Sequence, residues 1–391
     1  MRIVTDGYIY QTQPRGGISR VFSELLPRMC AADPDAHITI FTVGHVAARP
    51  PSADRLTWVR VPDARRFLRP GRLFNRSVTP YVQDVLNRWW TGAHNQPVIW
   101  HPTYYVLPRN SARLSCVITV HDMIHELFPN FLRSAEDDEW RARKRYCIER
   151  ADALICISHT TANDLRALYP GVASKIRVIP SGYAAPKQVN DAAASEKDKP
   201  FFLYVGQRGG YKNFELVLRA FAVWRHREQV SLYVVGPPLE PHEKAWVEEL
   251  KVTRHVVCLN SVPDDALGEL YRRAAAFVYP SLYEGFGLPL LEAIAAGCPV
   301  IASRIPSTIE VAGEYPIYFE PTSVEDAQRA FSAVLEGERG DAASSRAADI
   351  LSRYSWDRTA QLTLDTYRDV LGGDLGSRDL MGSSMCSRTG A

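Results

Sequence analysis

The sequence predicts an α/β fold of two doubly wound parallel sheets, and three observations carry this prediction. Short apolar segments alternate with longer segments of helical periodicity, which is typical of parallel strands joined by helices. The alternation stops before residue 186 and restarts after residue 199. A chain of 391 residues is also longer than one hydrophobic core usually serves. We therefore predict domains over residues 1–185 and 200–355, joined by a linker over residues 186–199.

The composition is that of an ordinary globular protein. Apolar residues make up 46% and charged residues 23%. The net charge of +2 is not the strongly basic balance that is typical of nucleic-acid-binding proteins. The seven cysteines include no CxxC pair, which is typical of reduced, buried thiols in the cytosol. Residues Met1–Gly7 are typical of a first strand rather than a signal peptide, and no apolar run approaches the roughly 20 residues that span a bilayer. We therefore expect a cytoplasmic protein that does not bind nucleic acid.

The first half of the chain is predicted to begin as strand, turn and helix. A strand over Arg2–Thr5 leads into a polar loop with a Gly16–Gly17 turn, and apolar spacing from Val21 to Met29 predicts a helix. A glycine turn before a helix either binds an anion or simply turns the chain, and both interpretations stay open. The later predicted elements are strands over Ile38–Val43 and Leu56–Val61, a helix over Tyr81–Leu86, a strand opening onto a loop over Val98–Tyr105, a strand over Ser115–Val120, a helix over Glu136–Ala151, a strand over Asp152–Ile157, a helix to Leu168 and a closing segment Ile176–Tyr183.

Two features of this half have competing interpretations. The segment Arg65–Arg76 mixes arginines with apolar residues, which is typical either of a peripheral contact with the inner membrane surface or of a solvated loop. His121 follows the continuous apolar strand Ser115–Val120 and so stands at the strand end where parallel sheets bind ligands. The competing interpretation of His121 is a core histidine bonded to the backbone.

The second half repeats the pattern with a basic glycine loop. A strand over Phe201–Val205 is followed by Gly206–Asn213, which carries Arg208 and Lys212, and then by a helix. Such a loop favours a phosphate, because the backbone approaches closely and the cations add full charges. Neither a Walker A loop nor a G-x-G-x-x-G fingerprint is present. The later predicted elements are strands over Ser231–Gly236, Val256–Leu259, Ala274–Tyr279, Val300–Ser303 and Pro316–Phe319, helices near Lys244–Leu250, Asp264–Tyr271, Leu290–Ala296 and Val324–Leu335, a final helix over residues 356–371 and a disordered tail over residues 372–391.

Two glutamates follow the strand that ends at Tyr279. Glu284 lies in a glycine-bearing turn, and Glu292 lies in the helix after it. Together with the basic loop, they suggest a nucleoside diphosphate that carries a further group: Glu292 suits ribose hydroxyls, and Glu284 suits a polyhydroxylated group. Taken singly, Glu284 is equally well a turn-stabilising carboxylate and Glu292 a helix-dipole residue.

The Glu284–Glu292 spacing resembles the E-x7-E motif of the retaining GT-B glycosyltransferases of family GT4. The likeness extends to about residue 371, and it implies two Rossmann-like domains that face a central cleft, with the final helix packing back toward the first domain. It rests on the following segments: Pro280–Gly287, Ala296–Ala302, the basic loop Gly206–Asn213, the Gly16–Gly17 turn, His121–Asp122, Ser158 with Asp164–Leu165, Ile179–Gly182 and Ser355–Trp356.

The resemblance implies transfer of a sugar from a nucleotide diphosphate to an acceptor hydroxyl with retention. Arg208 and Lys212 would stabilise the leaving diphosphate, Glu292 would bind the ribose and Glu284 the sugar. His121 completes the implied catalytic set of His121, Arg208, Lys212 and Glu284. The implied donor-binding set is Gly16, Gly17, Gly206, Arg208, Lys212, Val262, Glu284, Gly285, Phe286, Gly287, Leu288 and Glu292. The resemblance implies neither a cofactor nor a metal, because the cations replace the metal.

The donor is inferred from two further likenesses. The stretches His101–Tyr105 and Tyr211–Asn213 resemble mannosyl-type members, which implies GDP-mannose and a saccharide or lipid-linked saccharide acceptor in polysaccharide biosynthesis. A UDP- or dTDP-sugar is the alternative. One departure concerns Gln207, which stands where the family often has the arginine, so that Arg208 is displaced by one residue.

Three other functions remain to be separated. A nicotinamide-dependent oxidoreductase is disfavoured by the missing glycine fingerprint. A phosphorylase or a sugar epimerase on the same fold would differ in its products. A non-catalytic nucleotide-sugar-binding protein would bind the donor without turnover.

Overall fold

The computed structural model describes residues 1–13, 16–61, 98–107, 114–132, 134–184, 199–337 and 343–372. The predicted helix Tyr81–Leu86, the segment Arg65–Arg76, linker residues 186–198 and tail residues 373–391 lie outside the described residues. Two parallel sheets account for the described strands, and the predicted fold class is confirmed.

The first sheet has seven strands in the order β3-β2-β1-β4-β5-β6-β7. The strand order reverses between β1 and β4, which places the loops after these strands at a topological switch point. Its strands are β1 (Arg2–Asp6), β2 (His37–Val43), β3 (Leu56–Val61), β4 (Val98–Trp100), β5 (Leu114–Val120), β6 (Ala153–Cys156) and β7 (Ile176–Val178).

The second sheet has six strands in the order β10-β9-β8-β11-β12-β13. Its switch point lies between β8 and β11, which pair with Phe277 opposite Leu203. The basic loop follows β8 and the first glutamate turn follows β11, so both emerge at this switch point. Its strands are β8 (Phe201–Val205), β9 (Ser231–Val235), β10 (Val256–Leu259), β11 (Ala276–Tyr279), β12 (Val300–Ser303) and β13 (Ile317–Phe319).

Helices cover both sheets, and the central strands beneath them are buried because both faces are packed. The helices are α1 (Tyr8–Thr12), α2 (Gly17–Ala32), α3 (Ile124–Leu127), α4 (Ala135–Arg150), α5 (His159–Leu168), α6 (Phe214–Val223), α7 (Pro241–Glu249), α8 (Asp264–Arg273), α9 (Leu288–Ala295), α10 (Pro306–Ala312), α11 (Val324–Leu335), α12 (Ala343–Leu351) and α13 (Trp356–Gly372). None of the helices in the described ranges combines the length and apolarity needed to cross a bilayer.

The last helix returns to the first domain. Helix α13 packs on α2, where Arg368 pairs with Asp33 at 2.7 Å. The hydroxyl of the buried Tyr367 contacts His101 Nδ1, and His101 Nε2 lies 2.7 Å from Thr119 Oγ1. The C-terminal helix is therefore part of the first domain's core.

Two local predictions are wrong. The polar loop after β1 contains helix α1, whereas the segment Val98–Tyr105 is a strand to Trp100 followed by a loop, as predicted. Cys258 is exposed, whereas the other described cysteines are buried as predicted. It differs from them because it lies on β10, the edge strand of its sheet.

Candidate active site between the two domains

The basic loop and the glutamate turn are joined by hydrogen bonds. Leu282 N donates to the carbonyl of Tyr211 at 2.8 Å. The side chain of Asn213 donates to the carbonyl of Pro280 at 3.0 Å. Asn213 has a φ of 57°, a left-handed conformation that Asn tolerates and that lets α6 begin directly after the loop. The two loops therefore form one wall at the edge of the second sheet.

Lys212 and Glu284 meet on this wall. Their Nζ and Oε1 atoms are 2.6 Å apart, and Ser281 Oγ donates to the same carboxylate oxygen at 2.6 Å. Burial by itself lowers the pKa of Lys212, but the adjacent Glu284 outweighs burial, so the pKa lies above its ordinary 10.5. Lys212 is therefore a permanent cation.

Arg208 has different partners from Lys212. Its Nε and Nη2 each donate to Glu243 at 3.0 Å, and Nη2 also donates to the Pro238 carbonyl. The side chain is buried, and Nη1 has no hydrogen-bond partner within the described residues. The sequence predicted that Arg208 and Lys212 both face one ligand. The structure brings Lys212 to Glu284 and ties Arg208 to α7, because a bidentate carboxylate holds a guanidinium firmly.

Glu292 is buried on α9 and pairs across the cleft. Its Oε1 lies 2.7 Å from Arg20 Nη1, and the Tyr271 hydroxyl reaches Oε2 at 3.4 Å. Burial raises the pKa of Glu292, and Arg20 opposes that rise. Arg20 belongs to α2, just after Gly16 and Gly17, so the predicted N-terminal turn and the second glutamate are brought together through it.

His121 stands opposite the glutamate turn. Burial lowers its pKa from 6.5 to about 4, so its ring is neutral near pH 7. Its Nε2 is buried and has no hydrogen-bond partner within the described residues. A Cβ on Gly285 would lie 1.8 Å from the His121 carbonyl oxygen, so that only glycine fits at this contact between domains.

The remaining predicted donor residues lie in the loops and helix starts that follow β1, β8 and β11. Gly287 has a φ of 110°, which starts α9 in a conformation that glycine favours. Within the described residues, a Cβ at Gly17 would meet no atom within 4 Å, so these residues leave open space beside it. Gly206 follows β8 with a φ of 130°, Phe286 is buried against Tyr354, and Leu288 begins α9.

A cavity of about 610 Å³ opens after β10 at the same sheet edge. Val262, Leu259 and Leu270 give it an apolar lining, and Cys258, Asn260 and Asp265 add polar groups. A volume of this size is typical of a small-molecule site.

Polar contacts that sequence reasoning missed hold the two domains together. Glu310 on α10 accepts from the backbone of His159 and Thr160 at 2.6 and 2.8 Å, so it caps the start of α5 from the other domain. The Tyr283 hydroxyl donates to Asp164 at 2.8 Å and accepts from Met123 N at 3.0 Å. Ser158 and Asp164 lie in segments that carry the family resemblance, but their sequence positions do not identify their partners in the other domain.

The fold and the position of the site define a class of protein. Sucrose-phosphate synthase from Thermosynechococcus elongatus has the same fold, with a TM-score of 0.75 at 20% identity over 95% of this chain and 100% of that chain. The lipopolysaccharide-biosynthesis glycosyltransferase WaaG gives a TM-score of 0.70 at 18% identity over 93% and 98%. Two doubly wound parallel domains with the site between them are the GT-B fold.

Family models name the family within this class. The model described as Glycosyltransferase Family 4 matches residues 15–184, and the model described as Glycosyl transferases group 1 matches residues 187–349. The chain belongs to the group 1, GT4-type glycosyltransferases.

Several curated relatives are mannosyltransferases. O-antigen chain mannosyltransferase RfbU from Salmonella typhimurium is 28% identical over 246 residues, which cover 63% of this chain and 67% of that protein. O-antigen chain mannosyltransferase B from Escherichia coli is 24% identical and covers 91% of this chain and 96% of that protein. A D-inositol 3-phosphate glycosyltransferase from Acidothermus cellulolyticus is 30% identical over 57% of this chain and 54% of that protein.

Proposed function

We propose that this glycosyltransferase moves mannose from GDP-mannose, with retention, to a hydroxyl of a saccharide or lipid-linked saccharide. The main observation in favour of a diphosphate-sugar donor is the ion pair between Lys212 and Glu284 beside the switch point. The mannosyltransferase relatives support mannose as the sugar and polysaccharide assembly as the setting. We place the reaction at the cytoplasmic face of a membrane, where such acceptors are built.

Lys212 and Glu284 exchange partners when the donor binds. The cation moves to the diphosphate and the carboxylate accepts sugar hydroxyls, so neither charge is left unpaired. Charge grows on the diphosphate as the glycosidic bond breaks, and a fixed cation is worth most at that moment. The role of Arg208 at the diphosphate stays a prediction, and its unpartnered Nη1 is the atom that would make the contact.

His121 and Gly17 supply contacts from the first domain. The neutral ring of His121 directs its unpartnered Nε2 to the transferred sugar. The open space at Gly17 admits a ligand group next to the backbone N–H groups at the start of α2. The nucleobase occupies the cavity at Val262, and Glu292 receives the ribose.

Retention in this scheme follows a front-face mechanism, in which the acceptor attacks the anomeric carbon from the side that the diphosphate leaves. Glu284 is paired with Lys212 and Glu292 with Arg20, so both carboxylates act as hydrogen-bond acceptors rather than as a nucleophile or a base. An oxygen of the departing diphosphate takes the acceptor proton while the new bond forms on the same face. We propose that the cations meet the charge of the diphosphate without a metal or another cofactor.

The donor is tested by thermal shift with GDP-mannose, UDP-glucose, a dTDP-sugar and ADP-glucose. GDP-mannose is expected to raise the Tm most, because a ligand that binds only the folded state stabilises it. If a UDP- or dTDP-sugar raises the Tm more than GDP-mannose does, that nucleotide sugar is the donor instead. Binding of GDP-mannose without transfer over a broad acceptor panel would favour a nucleotide-sugar-binding protein.

A further inference from the structure

One ion pair crosses the cleft between two elements of the predicted donor site. Arg20 lies on α2 in the first domain and Glu292 on α9 in the second, with their nearest charged atoms 2.7 Å apart. The side chain of Arg20 is 29% exposed and that of Glu292 is 11% exposed, so water screens the contact only in part.

Glu292 depends on this partner. A buried carboxylate is costly unless it is paired. The groups facing it are Arg20 from α2, together with the Tyr271 hydroxyl and the carboxylate of Asp264 from α8. Arg20 is the only cation among these groups. Without Arg20, burial and Asp264 would favour the protonated form of Glu292.

The pair leaves Glu292 able to receive more hydrogen bonds. Each carboxylate oxygen accepts about two, and the structure supplies one from Arg20 and a long one from Tyr271. The unused lone pairs suit a vicinal diol, whose two hydroxyls donate to the two oxygens of one carboxylate.

We propose that Arg20 is a positioning residue that holds Glu292 charged and aimed for the ribose diol from the opposite domain. The inference rests on the proposed function, because the ribose role of Glu292 belongs to it. The ribose site is then complete only when the two domains are together, so donor binding and domain closure favour each other.

Calorimetric titration with GDP and with 2′,3′-dideoxy-GDP isolates this role. The wild-type protein is expected to prefer GDP by roughly tenfold or more, the size expected for hydrogen bonds to a charged group. Glu292→Gln and Arg20→Met are expected to lose most of that preference, and Arg20→Lys to recover part of it. Arg28→Met is the matched control, because Arg28 lies on the same helix and pairs with Glu24 and Asp357.

The pH dependence of the preference for GDP distinguishes a positioning role of Arg20 from a purely structural one. In Arg20→Met the pKa of Glu292 rises further, so the preference for GDP over the dideoxy form is lost at a higher pH than in the wild type. If Arg20 had a purely structural role, Arg20→Met would have a lower Tm and would bind both nucleotides more weakly by the same factor.

Two results overturn the inference, and they differ from failure of the proposed function. An unchanged preference for GDP in Arg20→Met overturns the positioning role, as does an equal loss in Arg28→Met. If the wild-type protein binds neither GDP nor UDP, the nucleotide-sugar function itself fails, and this inference fails with it.

Discussion

At the scale of single residues, Lys212 and Glu284 hold most of the proposed chemistry. Their 2.6 Å contact keeps a full positive charge and a carboxylate ready on one wall, and Ser281 fixes the carboxylate. Such preorganisation matters because the charges need no rearrangement of solvent during the reaction. Arg208, by contrast, shares its guanidinium with Glu243, so we expect Lys212 to carry the greater part of the proposed electrostatic role.

Lys212→Ala tests that role directly. Removing the cation is expected to lower kcat by about 10²–10³-fold, the loss seen when one charge-stabilising donor is deleted. The measurement is initial transfer rate at saturating donor, with circular dichroism to verify the fold. Arg219→Ala is the control, because Arg219 is exposed and, among the described residues, forms its ion pair with Glu215 one turn earlier on α6. Undiminished transfer by Lys212→Ala would remove Lys212 from the mechanism.

Buried histidines predict how stability depends on pH. Burial lowers the pKa of His121 from 6.5 to about 4 and that of His101 from 6.5 to about 3. The unfolded chain binds these protons first, so the free energy of unfolding is expected to fall as pH drops below 6.5. Asp6 opposes this fall, because burial raises its pKa from 3.8 to about 6 and the folded state takes up its proton first.

Urea unfolding at pH 7.5 and pH 5 measures this effect. His121→Gln is expected to lose less stability between the two pH values than the wild-type protein, because one neutral buried imidazole is gone. Equal losses in both proteins would mean that His121 is protonated alike in the folded and unfolded states.

At the scale of elements, the turn before α9 brings the two domains into contact. Gly285 lies against the His121 carbonyl, and its own carbonyl accepts from Ser158 at 2.6 Å and Thr161 at 3.2 Å. The glycine is therefore required by the close approach of another backbone, and the start of α5 is bonded to the turn.

Gly285→Ala is expected to lower both the Tm and the transfer rate. The added methyl group forces the turn away from His121, and overpacking of this kind costs about 1–3 kcal/mol. Differential scanning calorimetry gives the Tm. Gly171→Ala is the control, since a Cβ there meets no atom of the described part of the chain within 4 Å. A Gly285→Ala protein with wild-type Tm and rate would show that the contact is not tight in solution.

The elements that could be predicted from the sequence differ from the missed ones in length and in apolar pattern. The buried strands were predictable because strands covered on both faces are continuous apolar runs, and the basic loop and glutamate turn follow two of them. Helices α1 and α10 span only five and seven residues, too short for a helical period to be seen. The pairs Arg20–Glu292 and Arg208–Glu243 were not predictable, because residues far apart in sequence meet only after the chain has folded.

At the scale of the whole molecule, the cleft is closed by contacts from both sides. Arg20 with Glu292, Glu310 with the start of α5, and Tyr283 with Asp164 each join the two domains, and α13 returns from the second domain to the first. The proposed donor lies among these contacts, so we expect its binding to strengthen them together.

Removal of metal tests the proposal that protein cations alone meet the diphosphate charge. Transfer in excess EDTA is expected to stay within about twofold of the untreated rate, because Lys212 is a permanent cation at the site. Loss of activity that Mg²⁺ or Mn²⁺ restores would contradict this proposal.

The most direct test of retaining mannosyl transfer needs no acceptor. Slow hydrolysis of GDP-α-mannose is followed by proton NMR, and the anomer of mannose is read before it equilibrates in water. With retention, α-mannose is expected to appear first, and Lys212→Ala is expected to suppress its release. Early β-mannose, or release from a UDP- or dTDP-sugar but not from GDP-mannose, would contradict it.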